Sequence, residues 1–338
     1  MSSTPTAEEI AHDARWLVQA FEPSAGAVRL IEMDREAYRA ASFLDDRMLQ
    51  QPVNAKAVAW PTVAGAVALD SRRDARWIFH IGHVGSTLMA RLLGELPGVL
   101  SVREPRFLRD LTAIAAARRS AFTDAAQALF SRTFGSEERA LVKATSFVSE
   151  IAPELVAAGE GALFMFASPG NYVASILAGE NSLQELRLLA KNRAGRMAGR
   201  VRELDDRDRS AAHLAAAAWA CEMTSLESAA EAMPDRSINW LDFDRMLEDV
   251  EGAMARAARF FGFETRQEQL REIVSGPLMR RYSKALEYEY SPGLRRELLD
   301  EARRLHGRDI DGAMTMLEGA ARHSPLLERA LSRSQVEI

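Results

Sequence analysis

Four short apolar runs interrupt a chain whose remaining pattern is mostly helical. They are residues 77–81 (WIFHI), 140–143 (ALVK), 162–166 (ALFMF) and 237–241 (SINWL). Each is too short for a buried helix and is flanked by polar or glycine-containing punctuation, so each is predicted to be a strand. Ala-rich segments with helical spacing separate them, the longest at residues 209–232. Strands alternating with helices predict an α/β fold, a three-layer arrangement with a parallel sheet flanked by helices. Upstream, Ile10, Ala14, Leu17 and Ala20 fall near one helical face, predicting a helix over residues 7–21. From about Gln267 onward the pattern is helical and charged, with no further strand. The chain thus divides into an N-terminal addition (1–70), an α/β core (71–265) and a helical C-terminal region (266–338).

Composition narrows the classes. The 338 residues are 47% hydrophobic and 27% charged, an ordinary globular balance. A formal charge of −5 speaks against a general nucleic-acid surface. The single cysteine, Cys221, excludes an intramolecular disulfide and a cysteine-rich metal centre, in keeping with a reducing compartment. No stretch approaches the roughly 20 apolar residues that span a bilayer, and the first residues are polar and acidic. A soluble, cytoplasmic protein without membrane or nucleic-acid partners is expected.

The chemistry concentrates after the first strand, in Gly82, His83, Val84, Gly85, Ser86 and Thr87. Two glycines let the backbone turn tightly and approach an anion. The helix beginning near Ser86 directs free N–H groups and its positive dipole end at the loop, and Ser86 and Thr87 add hydroxyl donors. This is the pattern of a phosphate site, although a plain strand-to-helix turn with hydroxyl capping has the same residues. A Walker-A loop would carry lysine after the last glycine, where this chain has Ser86. No H-E-x-x-H or G-x-S-x-G pattern occurs, so neither a zinc site nor a serine hydrolase of the α/β type is expected.

The segment Gly85, Ser86, Thr87, Leu88, followed by Ala90, Arg91, Leu92 and Leu93, resembles the 5′-phosphosulfate loop of the sulfotransferases that use 3′-phosphoadenosine 5′-phosphosulfate (PAPS). Family members carry Lys or Arg where this chain has His83. The resemblance implies a P-loop-type core, PAPS as donor, no metal, and a hydroxyl-bearing small molecule or glycan as acceptor. It implies donor contacts at Gly82, His83, Gly85, Ser86 and Thr87. Glu104, in the segment Arg103–Glu104–Pro105–Arg106, matches the family's Glu-Pro pair and is the candidate general base. Arg103 and Arg106 flank it as candidate holders of a sulfate or an acidic acceptor; a surface ion-pair cluster is the plainer account of the three. Lys143 matches a lysine that follows a core strand and would, with His83, stabilise charge during transfer.

The family's second nucleotide signature is an arginine after a later strand and a serine eight residues on, which hold the 3′-phosphate. Here Ala167 stands at the arginine and Ser175 at the serine. Lys191, Arg193, Arg196 and Arg200 form one basic cluster that could substitute. Arg281 and Lys284 lie in another, within a C-terminal region that in the resemblance closes the nucleotide site. Asp242 and Asp244, after the fourth strand, read as helix caps. Two other functions fit the departures at His83 and Ala167: a divergent, non-catalytic phosphate- or nucleotide-binding module, and a small-molecule kinase. Acceptor identity and oligomeric state stay open.

Overall fold

A computed structural model describes residues 4–67, 71–201, 204, 210–280 and 291–335. The four predicted strands form at β4 (Arg76–His80), β6 (Arg139–Lys143), β7 (Gly161–Phe166) and β8 (Ser237–Asp242), and Val99–Arg103 adds β5. They make one parallel sheet in the order β5-β6-β4-β7-β8. Helices cover both faces, so β4 to β7 are buried nearly throughout, as their unbroken apolar runs require. Trp77, Phe79 and Phe164 are 1% exposed or less. From β4 the chain passes to one side of the sheet and then returns past β4 to β7. The loop after β4 therefore opens where strand order reverses, the place where open α/β sheets bind ligands.

The N-terminal segment departs from its expected helix. Helix Ala7–His12 is closed at its start by a Thr6/Glu9 capping box and stops at Asp13. Trp16–Glu22 is instead strand β1, which joins β2 (Ala27–Glu32) and β3 (Ala55–Ala59) in a separate antiparallel sheet. Residues Trp16 to Phe21 are all buried, so the strand lacks the alternation that would have revealed it. Burial on both faces hid the period of two.

Two buried arginines tie this segment to the core. Arg132 donates to the carbonyls of Ile10, Asp13, Trp16 and Leu129. Arg103 donates to those of Tyr38, Ala41 and Ser101. Burial pulls the Arg132 guanidinium down to about 10 and that of Arg103 to about 9. Each planar fork meets several backbone carbonyls. A backbone bond from Leu44 N–H to the Arg103 carbonyl (2.8 Å) then lays residues 43–47 against the end of β5.

C-terminal to β8, the described residues are helical: Val250–Phe261, Gln267–Ser275, Pro292–Ala321 and Pro325–Gln335. No helix among the described residues is long and apolar enough to cross a membrane.

Candidate active site

Strands β5, β6 and β4 are adjacent and parallel, so the residues at their C-terminal ends meet. They are Arg103 followed by Glu104, Lys143, and His80. Lys143, with no exposed side-chain surface, donates from Nζ to Glu104 Oε1 in a close ion pair. Thr145 Oγ1 lies 3.4 Å from Glu104 Oε2, and an Arg47 guanidinium nitrogen lies 3.6 Å from the same oxygen. His80 accepts from the Gly82 N–H at Nδ1 (2.9 Å), which leaves its proton on Nε2 to donate to the Ala144 carbonyl (2.9 Å). That neutral ring stands 3.9 Å from Glu104 Oε1.

The backbone presents Glu104 in an unusual way. Its φ is +53°, a left-handed conformation that costs a side-chain-bearing residue about 1 kcal/mol. The Glu104 N–H is fixed to the Lys143 carbonyl at 2.7 Å, and Pro105 follows. The turn thus aims the carboxylate across the ends of β6 and β4. Its side chain keeps 10% of its surface exposed.

The loop is built around positive φ values at Gly82 (+82°), His83 (+54°) and Gly85 (+63°). Gly85 is the N-cap of helix Ser86–Gly94, and no side chain caps that end. The first-turn N–H groups are therefore left for another acceptor. Thr87, 1% exposed, has its Oγ1 buried with no partner among the described residues. A Cβ on Gly85 would stand 2.1 Å from the Phe243 ring. The packing of Phe243 requires glycine at position 85, and the uncapped helix start with an orphaned hydroxyl fits an anionic group. His83 lies beside this loop with its Nε2 3.9 Å from Glu185 Oε1 and its ring edge-on to Tyr172.

Several expected contributors sit elsewhere. Arg103 is committed to carbonyls, and Arg106 pairs with Glu22, Asp46 and Asp110. Neither is turned toward an acidic acceptor. Arg193 and Arg196 pair with Glu222, and Arg196 and Arg200 with Glu150. This cluster is neutralised internally and does not replace the arginine missing at Ala167. Ala167 is buried, and its carbonyl accepts from the Trp219 indole (2.9 Å), so packing occupies the space an arginine would need. Ser175 is half-buried on helix Pro169–Leu177. Arg281 and Lys284 lie outside the described residues. Asp242 caps its helix through the N–H groups of Asp244 and Arg245. Asp244 is no cap: it binds Arg295 and the Asn171 amide. Cys221 is buried, which pushes its thiol up to about 12 and makes it unreactive. Among the described residues, no three metal-ligating side chains gather to hold an ion.

Other participants had no sequence signal. Phe43, Asp45 and Arg47 come from the N-terminal segment. Arg47 stacks 3.3 Å over Phe43 and binds Asp45 through two hydrogen bonds. A polar His80 closing an apolar strand just before glycine was the one clue available for that residue.

No family model matches the chain, and none of the curated proteins matches it. Among solved structures it is similar to the sulfotransferase domain from the curacin biosynthetic pathway, at 10% identity and a TM-score of 0.40, covering 69% of this chain and 96% of that one. It is also similar to mouse sulfotransferase SULT7A1 complexed with PAP, at 10% identity and a TM-score of 0.39, covering 77% and 89%. The sulfotransferase domain of the Synechococcus PCC 7002 olefin synthase gives 13% identity and a TM-score of 0.38, covering 68% and 86%.

Proposed function

We propose that the protein transfers a sulfuryl group from PAPS to a hydroxyl group of a small acceptor. The observation that carries this reading is the adjacency of two features at one sheet edge. One is an uncapped, glycine-built loop suited to a phosphate; the other is a buried carboxylate, Glu104, at the end of the neighbouring strands. The loop's likeness to the phosphosulfate loop, and the Glu-Pro pair that follows it, supply the chemistry.

In this reading the 5′-phosphate lies on the N–H groups of residues 85–88 with Thr87 Oγ1 as a further donor. The acceptor oxygen attacks sulfur in line as the bridging S–O bond breaks, and the electron pair leaves with the phosphate of 3′-phosphoadenosine 5′-phosphate (PAP). The acceptor proton passes to Glu104. Its Oε1 is taken by Lys143, so Oε2, facing Thr145 and Arg47, is the oxygen left to accept it. Lys143 holds the carboxylate in place, a different task from neutralising the donor. His80 fixes the first turn of the loop through the Gly82 N–H. The absence of a loop lysine weakens the kinase alternative, since ATP would lack its principal charge partner.

Sulfur-labelled PAPS supplied with a mixture of hydroxyl compounds tests the reading. Label is expected in an acceptor product with the wild type and not with Glu104→Gln. Wild-type protein that binds PAP but transfers nothing favours the non-catalytic module. Unchanged transfer by Glu104→Gln removes Glu104 from the role of base.

A further inference from the structure

A cavity of about 900 Å³ lies between residues 32–54 of the N-terminal segment and the start of helix Glu180–Met197, with His83 of the loop in its wall. Two of its lining side chains also touch the transfer centre. Arg47 reaches within 3.6 Å of Glu104 Oε2, and the Phe43 ring centroid is 5.8 Å from Lys143 Nζ. The cavity therefore lies next to the oxygen of Glu104 that Lys143 does not hold, with the Arg47 side chain between them. We propose that it is the acceptor site, built by the N-terminal segment, and that it selects a small amphipathic alcohol that is uncharged or cationic. This deepens the transfer reading above and rests on it.

Size argues for a discrete molecule. The volume of about 900 Å³ lies at the upper end of the roughly 300–1,000 Å³ typical of small-molecule sites. Its apolar lining, from Met33, Ala37, Phe43, Met48 and Val53, suits a hydrocarbon body. Its charges argue against an anionic acceptor. Glu32 and Glu185 line it as carboxylates. Its arginine, Arg47, already holds Asp45 through two hydrogen bonds and stands against Glu104. His83 is turned toward Glu185. An acid entering here would meet the Glu32 and Glu185 side chains, whereas an amine would find acceptors among them.

Three probes matched in length separate these cases: octanol, aminooctanol and hydroxyoctanoic acid, each offered with PAPS while PAP formation is followed. The expected kcat/KM is highest for aminooctanol and at least about tenfold lower for the hydroxy acid, the scale of one like-charge encounter in a partly desolvated site. Glu185→Gln should shrink the advantage of the amine over octanol. Met48→Trp and, independently, Ala41→Trp should raise KM for aminooctanol severalfold and leave the PAP-induced rise in Tm unchanged. Preferential turnover of the hydroxy acid, or an unchanged KM in both folded tryptophan variants, overturns the proposal. So does a wild type that responds to PAP yet transfers to none of the three probes. A wild type with no response to PAP instead overturns the transfer reading beneath it.

Discussion

Two buried clusters of opposite charges among the described residues are built to different ends. In one, Glu222 lies 1% exposed between Arg193 and Arg196, while Glu150 takes Arg196 and Arg200. Every charged group there has a partner on an adjacent helix, and Cys221 and Thr224 fill the remaining bonds to Arg200. In the other, Glu104 is held by Lys143 on one oxygen only, on a residue with positive φ, at the C-terminal edge of a parallel sheet and beside a cavity. The first cluster is saturated and joins helices. The second is held loosely on the side facing the cavity, where Thr145 Oγ1 at 3.4 Å and Arg47 at 3.6 Å are longer contacts than the Lys143 pair. Basic residues at helical spacing made the first look functional in the sequence, and saturation shows it to be structural.

The sharpest way to break this comparison is to neutralise each acid. Glu104→Gln should lower transfer by about 10²–10⁴-fold. It also strands the Lys143 ammonium, at a cost of about 3 kcal/mol. The double variant Glu104→Gln/Lys143→Met should recover much of that stability by denaturant unfolding and none of the activity. Glu222→Gln should show the converse: a loss of about 3 kcal/mol as Arg193 loses its carboxylate and Arg196 keeps only Glu150, with kcat/KM per folded molecule unchanged. A Glu222 variant that is inactive while folded would dissolve the distinction.

Gly85→Ala is the next largest. The added Cβ meets the Phe243 ring and sits on a residue with φ of +63°. About 2–3 kcal/mol of stability should be lost, with PAP affinity falling as the loop shifts. Thr87→Val is subtler and more diagnostic. Because Oγ1 has no protein partner among the described residues, its removal should leave the unfolding midpoint nearly unchanged or slightly raised. PAP affinity should drop roughly tenfold, the value of one hydrogen bond to a charged group. A calorimetric titration of the folded variant reads this directly; equal affinity would place the phosphate away from Thr87.

The same contrast explains what the sequence could reveal. The α/β core was legible because its strands are continuous apolar runs and its glycine loop is local, six consecutive residues with two glycines. Lys143 was visible at a strand end and Glu104 in a Glu-Pro pair, but their pairing depends on β5, which was not predicted, lying beside β6. The N-terminal sheet was misread because β1 is buried on both faces and happens to carry helical spacing. Arg47, Phe43 and the cavity were invisible. They reach the site through long-range contacts such as the Leu44 N–H to the Arg103 carbonyl and carbonyls capped by a buried arginine. Local motifs survived translation into structure, and long-range assembly did not announce itself.

The central claim is that the loop at residues 82–87 binds the phosphate of a PAPS-type nucleotide. Thermal unfolding of the intact protein with PAP, ATP or AMP tests it most directly. A ligand that binds only the folded state at about 100 times its Kd stabilises it by about 2.7 kcal/mol. Millimolar PAP should therefore raise Tm by several degrees, with ATP and AMP giving smaller shifts. An unshifted Tm with PAP, or a larger shift with ATP, would contradict the account.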